Sequence, residues 1–198
     1  MPPPPAARAK VLHAYAEILV ASGERSATLE AVAEQAGVSK GGLLYHFPSK
    51  EALAEGLVDH LQRLTEADVA AMRSAPEGAV DYLLRTSTVV DGEFELVYLA
   101  VSRLSQGPFP QAAAVIQEAQ AAWTDAVRDE VGDPVLARSV ALMSEGLYAL
   151  ATAGAPSLDA AELDDLLALV HEVAVSRSSS PAASSSSTTS TTSTASTR

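Results

Sequence analysis

The 198-residue sequence contains no cysteine. That excludes a disulfide framework, a thiolate metal site and a cysteine nucleophile, and it fits a reducing compartment. Lysine is scarce beside arginine. No uninterrupted apolar run approaches the length that crosses a bilayer. The opening "MPPPPAARAK" lacks the apolar core of a secretory signal. A soluble, cytoplasmic protein without membrane contact is the expectation. Internal repeats and convincing strands are also missing. His13, His60 and His171 stand isolated, with no second histidine or carboxylate cluster at a ligand spacing, so no metal site is expected and no cofactor either.

What is present is apolar mass and uneven charge. Residues of the apolar classes make up 47% of the chain, enough for a real core and too many for wholesale disorder. The formal net charge is −12. Residues 1–63 carry six Lys/Arg against seven Asp/Glu, whereas residues 64–198 carry seven against eighteen. The acidity therefore belongs to the later part, and the first part is free to present a local basic face.

Glycine and proline punctuate helical periodicity throughout, which predicts an all-α protein. A first helix over 6–22 buries Val11, Ala14, Tyr15, Ile18 and Leu19 and stops at Gly23. Thr28 N-caps a second helix, with Gly37 as its left-handed stop. Ser39 caps a short third helix and Ser49 a long fourth, striped by Leu53, Leu57, Leu61 and Leu64. "SAPE" at 74–77 has capping-box spacing and a proline in the first turn, so a helix is expected to start there. "VVDGEF", "GPFP" and "GDP" then separate three further helices, the last of them capped by Asp133. Asp159 and Glu162 open the last by the same box spacing.

The two final helices are apolar on more than one side. Val135, Ser139, Leu142, Gly146 and Leu150 form one stripe, with Leu136, Val140, Met143 and Leu147 beside it; residues 160–175 add Leu163, Leu166, Leu167, Val170 and Val173. A helix wet on one face needs a single stripe. Either these helices are central within one subunit, or their second face meets a partner such as another copy of the chain. From Ser176 onward the chain is almost all Ser, Thr and Ala, and a disordered tail over 176–198 is expected.

The helix over 28–36, the turn at Gly37 and the helix from Ser39 form a helix-turn-helix by pattern. Val38 and Leu43 anchor the second helix on Val32, Ala33 and Ala36, leaving Lys40, Gly41, Gly42 and Leu44 outward. "TLEAVAEQAGVSKGGLLYHFPSKEAL", Thr28 to Leu53, resembles the DNA-binding signature of TetR/AcrR-type transcriptional regulators. The resemblance is dense over the first third of the chain. Beyond it, only the number and length of helices agree.

The resemblance implies a ligand-responsive repressor, all-α and homodimeric, on a palindromic double-stranded DNA operator. Residues 1–50 would be the helix-turn-helix head and residues 51–175 the effector-binding and dimerisation domain, pairing through the last two helices. Thr28, Ser39, Lys40, Gly41, Gly42, Leu44, Tyr45, His46 and Lys50 are the expected DNA-binding residues. Glycines at 41 and 42 let backbone approach DNA closely. Tyr45, His46 and Lys50 fall where the family meets phosphates, and Lys40 is placed to read guanine. Gly42 and Leu44 depart from the family, many of whose members carry a hydroxyl and an aromatic there; Leu44 can instead meet a thymine methyl. Tyr45 packing at its helix end, His46 capping its own helix and a merely solvated Lys40 are the bland alternatives.

In the acidic domain Tyr82, Phe94, Tyr98, Phe109, Trp123, Met143 and Tyr148 are either ordinary core or the walls of an effector pocket. All but Phe109 are taken as ligand-binding candidates, with Arg103 as a polar one beside Glu145. Two rivals remain: a helical DNA-binding protein without an effector, and a helical enzyme with an incidental helix-turn-helix. For the enzyme only Asp164, Asp165 and His171 offer chemistry, and no nucleophile constellation supports it.

Overall fold

The structure is a computed structural model that describes residues 5–90 and 92–179, with side chains from residue 7 onward. Among these residues the chain forms nine helices and no strand: α1 (Pro5–Ser22), α2 (Leu29–Gln35), α3 (Lys40–His46), α4 (Lys50–Ser74), α5 (Ala79–Thr86), α6 (Glu93–Ser105), α7 (Pro110–Val131), α8 (Pro134–Thr152) and α9 (Ala160–Ser178). The all-α expectation holds. None of these helices is long and apolar enough to cross a membrane.

The cap residues read from the sequence act as expected. Thr28 Oγ1 accepts from Ala31 N at 3.1 Å, Ser39 Oγ from Gly42 N at 3.1 Å and Ser49 Oγ from Ala52 N at 3.2 Å. Gly37 takes φ +65°, so the chain leaves α2 through a left-handed residue. Asp133 and Asp159 cap α8 and α9, and Glu162 closes the box on Asp159 N at 2.9 Å.

Two expectations need correction. The start predicted at Ser74 fails: α4 runs through Ser74, whose hydroxyl bonds back to the carbonyls of Ala70 and Ala71. α5 begins only at Ala79. Its cap is Glu130 from α7, whose Oε2 accepts from the amides of Ala79 and Val80. A carboxylate from another helix thus does the work the local box was expected to do. The tail also starts later than Ser176, because α9 continues to Ser178. The rest of the expected tail lies outside the described residues.

Two apolar clusters organise the helices. The first gathers Tyr15 and Leu19 of α1, Val32 of α2, Leu43 of α3, Phe47, and Leu57 of α4 with Val97 and Val101 of α6. This core runs past residue 50, since α6 packs along α1 and α4. Gly56 lets α4 approach closely: a Cβ there would stand 2.6 Å from the Phe47 ring. The second cluster joins Met72, Leu84, Val127, Val140, Leu147, Leu167 and Val170 of the later helices. In α8 the two predicted stripes separate cleanly. Leu136, Val140 and Leu147 are buried, whereas Val135, Leu142 and Leu150 are exposed.

Candidate nucleic-acid interface and ligand cavity

α3 is held from beneath. Leu43 and Phe47 are buried, and Val38 N bonds to Ala33 O at 3.0 Å across the turn from α2. With that register fixed, Lys40, Gly41, Leu44 and Tyr45 fall on the solvent side. Tyr45 is 69% exposed, which is unusual for a tyrosine with no polar partner among the described residues to hold it there. A Cβ at Gly41 would meet nothing within 4 Å, so this glycine fills no tight spot inside the protein; Gly42 is closer, with Ser39 Oγ at 3.2 Å.

His46 is half-buried, edge-on to Tyr45 with centroids 5.3 Å apart, and its Nε2 is sealed and finds no hydrogen-bond partner among the described residues. Both lysines are already paired. Lys40 meets the Glu30 carboxylate, which that bond holds below its usual range. Lys50 Nζ sits 2.7 Å from Glu24 Oε1 and donates to Glu24 O at 2.6 Å, tying α4 to the turn after α1. Thr28 and Ser39 stand exposed at the helix starts that they cap. All nine sequence-derived residues thus gather around α3 and the adjoining starts of α2 and α4.

A separate cavity of about 270 Å³ opens between α4, α5, α6, α7 and α8. Tyr82, Phe94, Tyr98, Trp123 and Tyr148, expected from the sequence, all line it. The rings touch one another: Phe94 stacks on Tyr98 at 6.0 Å, Trp123 lies edge-on to Phe94 at 5.9 Å, and Tyr148 meets Tyr98 edge-on at 5.6 Å. Two candidates are elsewhere. Arg103 is exposed on α6, and Met143 packs against the second core rather than the cavity. An arginine in an apolar-striped helix had no reason to face inward unless a carboxylate waited for it.

The sequence reading missed Asp68, Ser87, Glu95, Gln120 and Ser144, which also line the cavity. Asp68 is central. Its two oxygens accept from Tyr82 Oη at 2.9 Å and Trp123 Nε1 at 2.8 Å. A signal existed: Asp68 interrupts the buried row Leu61, Thr65, Met72 at helical spacing. Burial first, and then the bond to Asp68, push the Tyr82 phenol up to about 12. Burial likewise raises Tyr98 and Tyr148. The Tyr148 hydroxyl is sealed and finds no partner among the described residues. Ser87 and Ser144 bond each other at 2.8 Å.

Among the described residues no group of three His, Asp or Glu side chains is arranged to hold a metal. His60 pairs with Glu93 at 2.9 Å, and His171 pairs at 2.6 Å with Asp81, which also lies 3.7 Å from Arg85, itself bound to Asp164 at 2.7 Å.

The chain has recognisable relatives. A family model described as bacterial regulatory proteins, tetR family, matches residues 11–57, and one described as tetracyclin repressor-like, C-terminal domain, matches residues 81–174. The HTH-type transcriptional regulator UidR of Escherichia coli (strain K12) is 31% identical over 130 residues, covering 64% of this chain and 65% of that protein. The HTH-type transcriptional activator FasR of Mycolicibacterium smegmatis is 32% identical over 128 residues, covering 62% and 57%. The chain therefore spans less than two thirds of the length of these curated relatives. Among solved structures, Salmonella enterica GusR shares the fold with a TM-score of 0.56 at 19% identity, over 89% of this chain and 95% of that one. The two family models together take in more than half of the sequence, one over the helix-turn-helix and one over the cavity, and the chain belongs to the tetR family of bacterial regulatory proteins.

Proposed function

We propose that the chain is a DNA-binding transcriptional repressor of the cytoplasm that acts as a homodimer and answers to a small-molecule effector. The observation that carries the reading is the outer face of α3. It presents a lysine, an unfilled glycine, a leucine and a bare tyrosine over a sealed core, and none of the four is needed to hold the helix in place. Such a face suits a major groove, with Lys40 and Leu44 at base edges and Tyr45, His46 and Lys50 at phosphates. The exposed apolar row of α8 supports pairing with a second copy. Two heads related by a two-fold axis would read an inverted repeat with half-sites about one helical turn apart, roughly 34–36 Å.

The cavity supports the effector half of the reading. It lies on the helices that join the head-packing α6 to the paired α8, so a ligand there touches both ends of the coupling. A ligand shifts head spacing only by its difference in affinity for the two arrangements. The second family model, described as tetracyclin repressor-like, supports repression; FasR, described as an activator, makes the sign worth measuring.

Selection of binding sites from random double-stranded DNA by the purified chain tests the reading. Enrichment of an inverted repeat, lost in Lys40→Gln/Tyr45→Phe, is the expected result. An enriched single half-site would remove the dimer, and no enrichment would remove DNA reading. A reporter promoter carrying the selected site should fall in output when the protein is present; a rise would replace repressor with activator.

A further inference from the structure

We infer that the cavity selects a small organic cation, a protonated amine or quaternary ammonium on an apolar body, which deepens the effector reading above and rests on it. The walls are aromatic: Phe94, Tyr98, Trp123 and Tyr148 bring four rings around one space, with Tyr98 against each of the other three. Ring faces are negative, and a cage of them attracts a cation that has lost its water. The charged groups among the lining residues are all of one sign. Asp68, Glu95 and Glu145 line the cavity, and no lysine, arginine or histidine does.

These carboxylates are not neutralised by cations elsewhere. Among the described residues Asp68 accepts only from neutral donors, the Tyr82 phenol and the Trp123 indole. Glu95 accepts from the backbone amide of Gly92 at 3.0 Å. None of the three takes part in an ion pair among the described residues, although ten such pairs occur elsewhere in the chain. Their field reaches the rings: the charge of Glu145 helps to raise the Tyr98 phenol and that of Glu95 the Tyr148 phenol, each behind burial as the larger cause.

An anion entering this cavity meets uncompensated negative charge and no donor of positive charge, and an uncharged ligand leaves the carboxylates as they were. A cation alone gains from both rings and carboxylates. The surrounding domain has the same bias, since residues 64–198 hold seven Lys/Arg against eighteen Asp/Glu, which raises the local concentration of cations. Size limits the ligand as well. A cavity of roughly 150 Å³ holds benzene, so about 270 Å³ takes a molecule of one or two rings.

Trp123 is the sole tryptophan of the chain and lies in the cavity wall, so its emission reports occupancy directly. The test titrates the full-length chain with three probes of like shape and different charge: benzyltrimethylammonium, its uncharged carbon analogue neopentylbenzene, and phenylacetate. The expected result is quenching by the cation with an affinity at least tenfold above the neutral probe, and none by the anion. Glu145→Gln removes a charge that holds no structural bond. It should weaken the cation several-fold and leave the neutral probe unchanged, with thermal unfolding at the wild-type temperature. Equal or better binding of the neutral or anionic probe would overturn the inference while leaving an effector cavity in place. Failure of all three to bind would overturn both the inference and the effector reading. Cation binding untouched by Glu145→Gln and by Trp123→Leu, followed by calorimetry, would put the cation elsewhere and overturn the inference alone.

Discussion

At the scale of single residues, the outer face of α3 is set by pairs as much as by exposure. Lys40 is bound to Glu30, one helix away, and both side chains are open to water. An exposed pair of this kind contributes little to stability. On the proposed reading its cost falls on recognition, because DNA would have to draw Lys40 away from a carboxylate that would itself face phosphates. Glu30→Gln should therefore tighten binding to a selected operator several-fold at low salt. The gain should shrink as salt rises, with the melting temperature at the wild-type value. Fluorescence anisotropy at three salt concentrations, beside Lys40→Gln as the weakening control, reads it. Unchanged or weaker binding in Glu30→Gln would mean that the pair does not compete with DNA. Lys50 is different: its bonds to both the carboxylate and the carbonyl of Glu24 tie α4 to the turn before α2, so its removal disturbs the head as well as any phosphate contact.

At the scale of elements, the helices and their caps were legible wherever the signal was local. Thr28, Ser39, Ser49, Asp133 and Asp159 each cap the helix that begins beside them, and the sequence spacing is enough to see it. α5 was misread because its cap is not local. Glu130 reaches its first amides from about fifty residues away, and no spacing rule connects positions 79 and 130. The cavity was half legible for the same reason. Aromatic side chains announce themselves by size, whereas Asp68 matters through bonds to Tyr82 and Trp123 on two other helices. The misread cap yields a prediction. Glu130→Ala leaves two amides of α5 without their carboxylate, which should cost about 1 kcal/mol and lower the melting temperature by about 2–4 °C. Glu130→Gln, which keeps an acceptor, should recover most of the loss. Because α5 carries Tyr82, and Tyr82 shares Asp68 with Trp123, the alanine variant should also shift Trp123 emission. Wild-type melting in Glu130→Ala would show that the bond adds nothing to α5.

At the scale of the whole molecule, the sequence left the second apolar stripe of α8 open between a buried centre and a partner surface. The fold removes the first option, since Val135, Leu142 and Leu150 stay in water while Leu136, Val140 and Leu147 fill the core. On α9, Leu169 and Val175 are exposed as well. A row of this kind is tolerable in dilute monomer and suited to a helix-on-helix interface between copies. Leu142→Arg puts a charge in the middle of the row at a site already 52% exposed, so the fold of one chain should be unaffected. Sedimentation should then give the mass of one chain where the wild type gives two. Each head would still meet its half-site, but the second contact would no longer be intramolecular. Affinity for the inverted repeat should fall by at least tenfold, and the dependence of log affinity on log salt should drop to about half its slope as half the phosphates are lost. A variant that remains dimeric would move the interface off this row. One that becomes monomeric yet keeps full affinity and slope would show that a single head reads the operator, and two-fold symmetry would no longer explain the site.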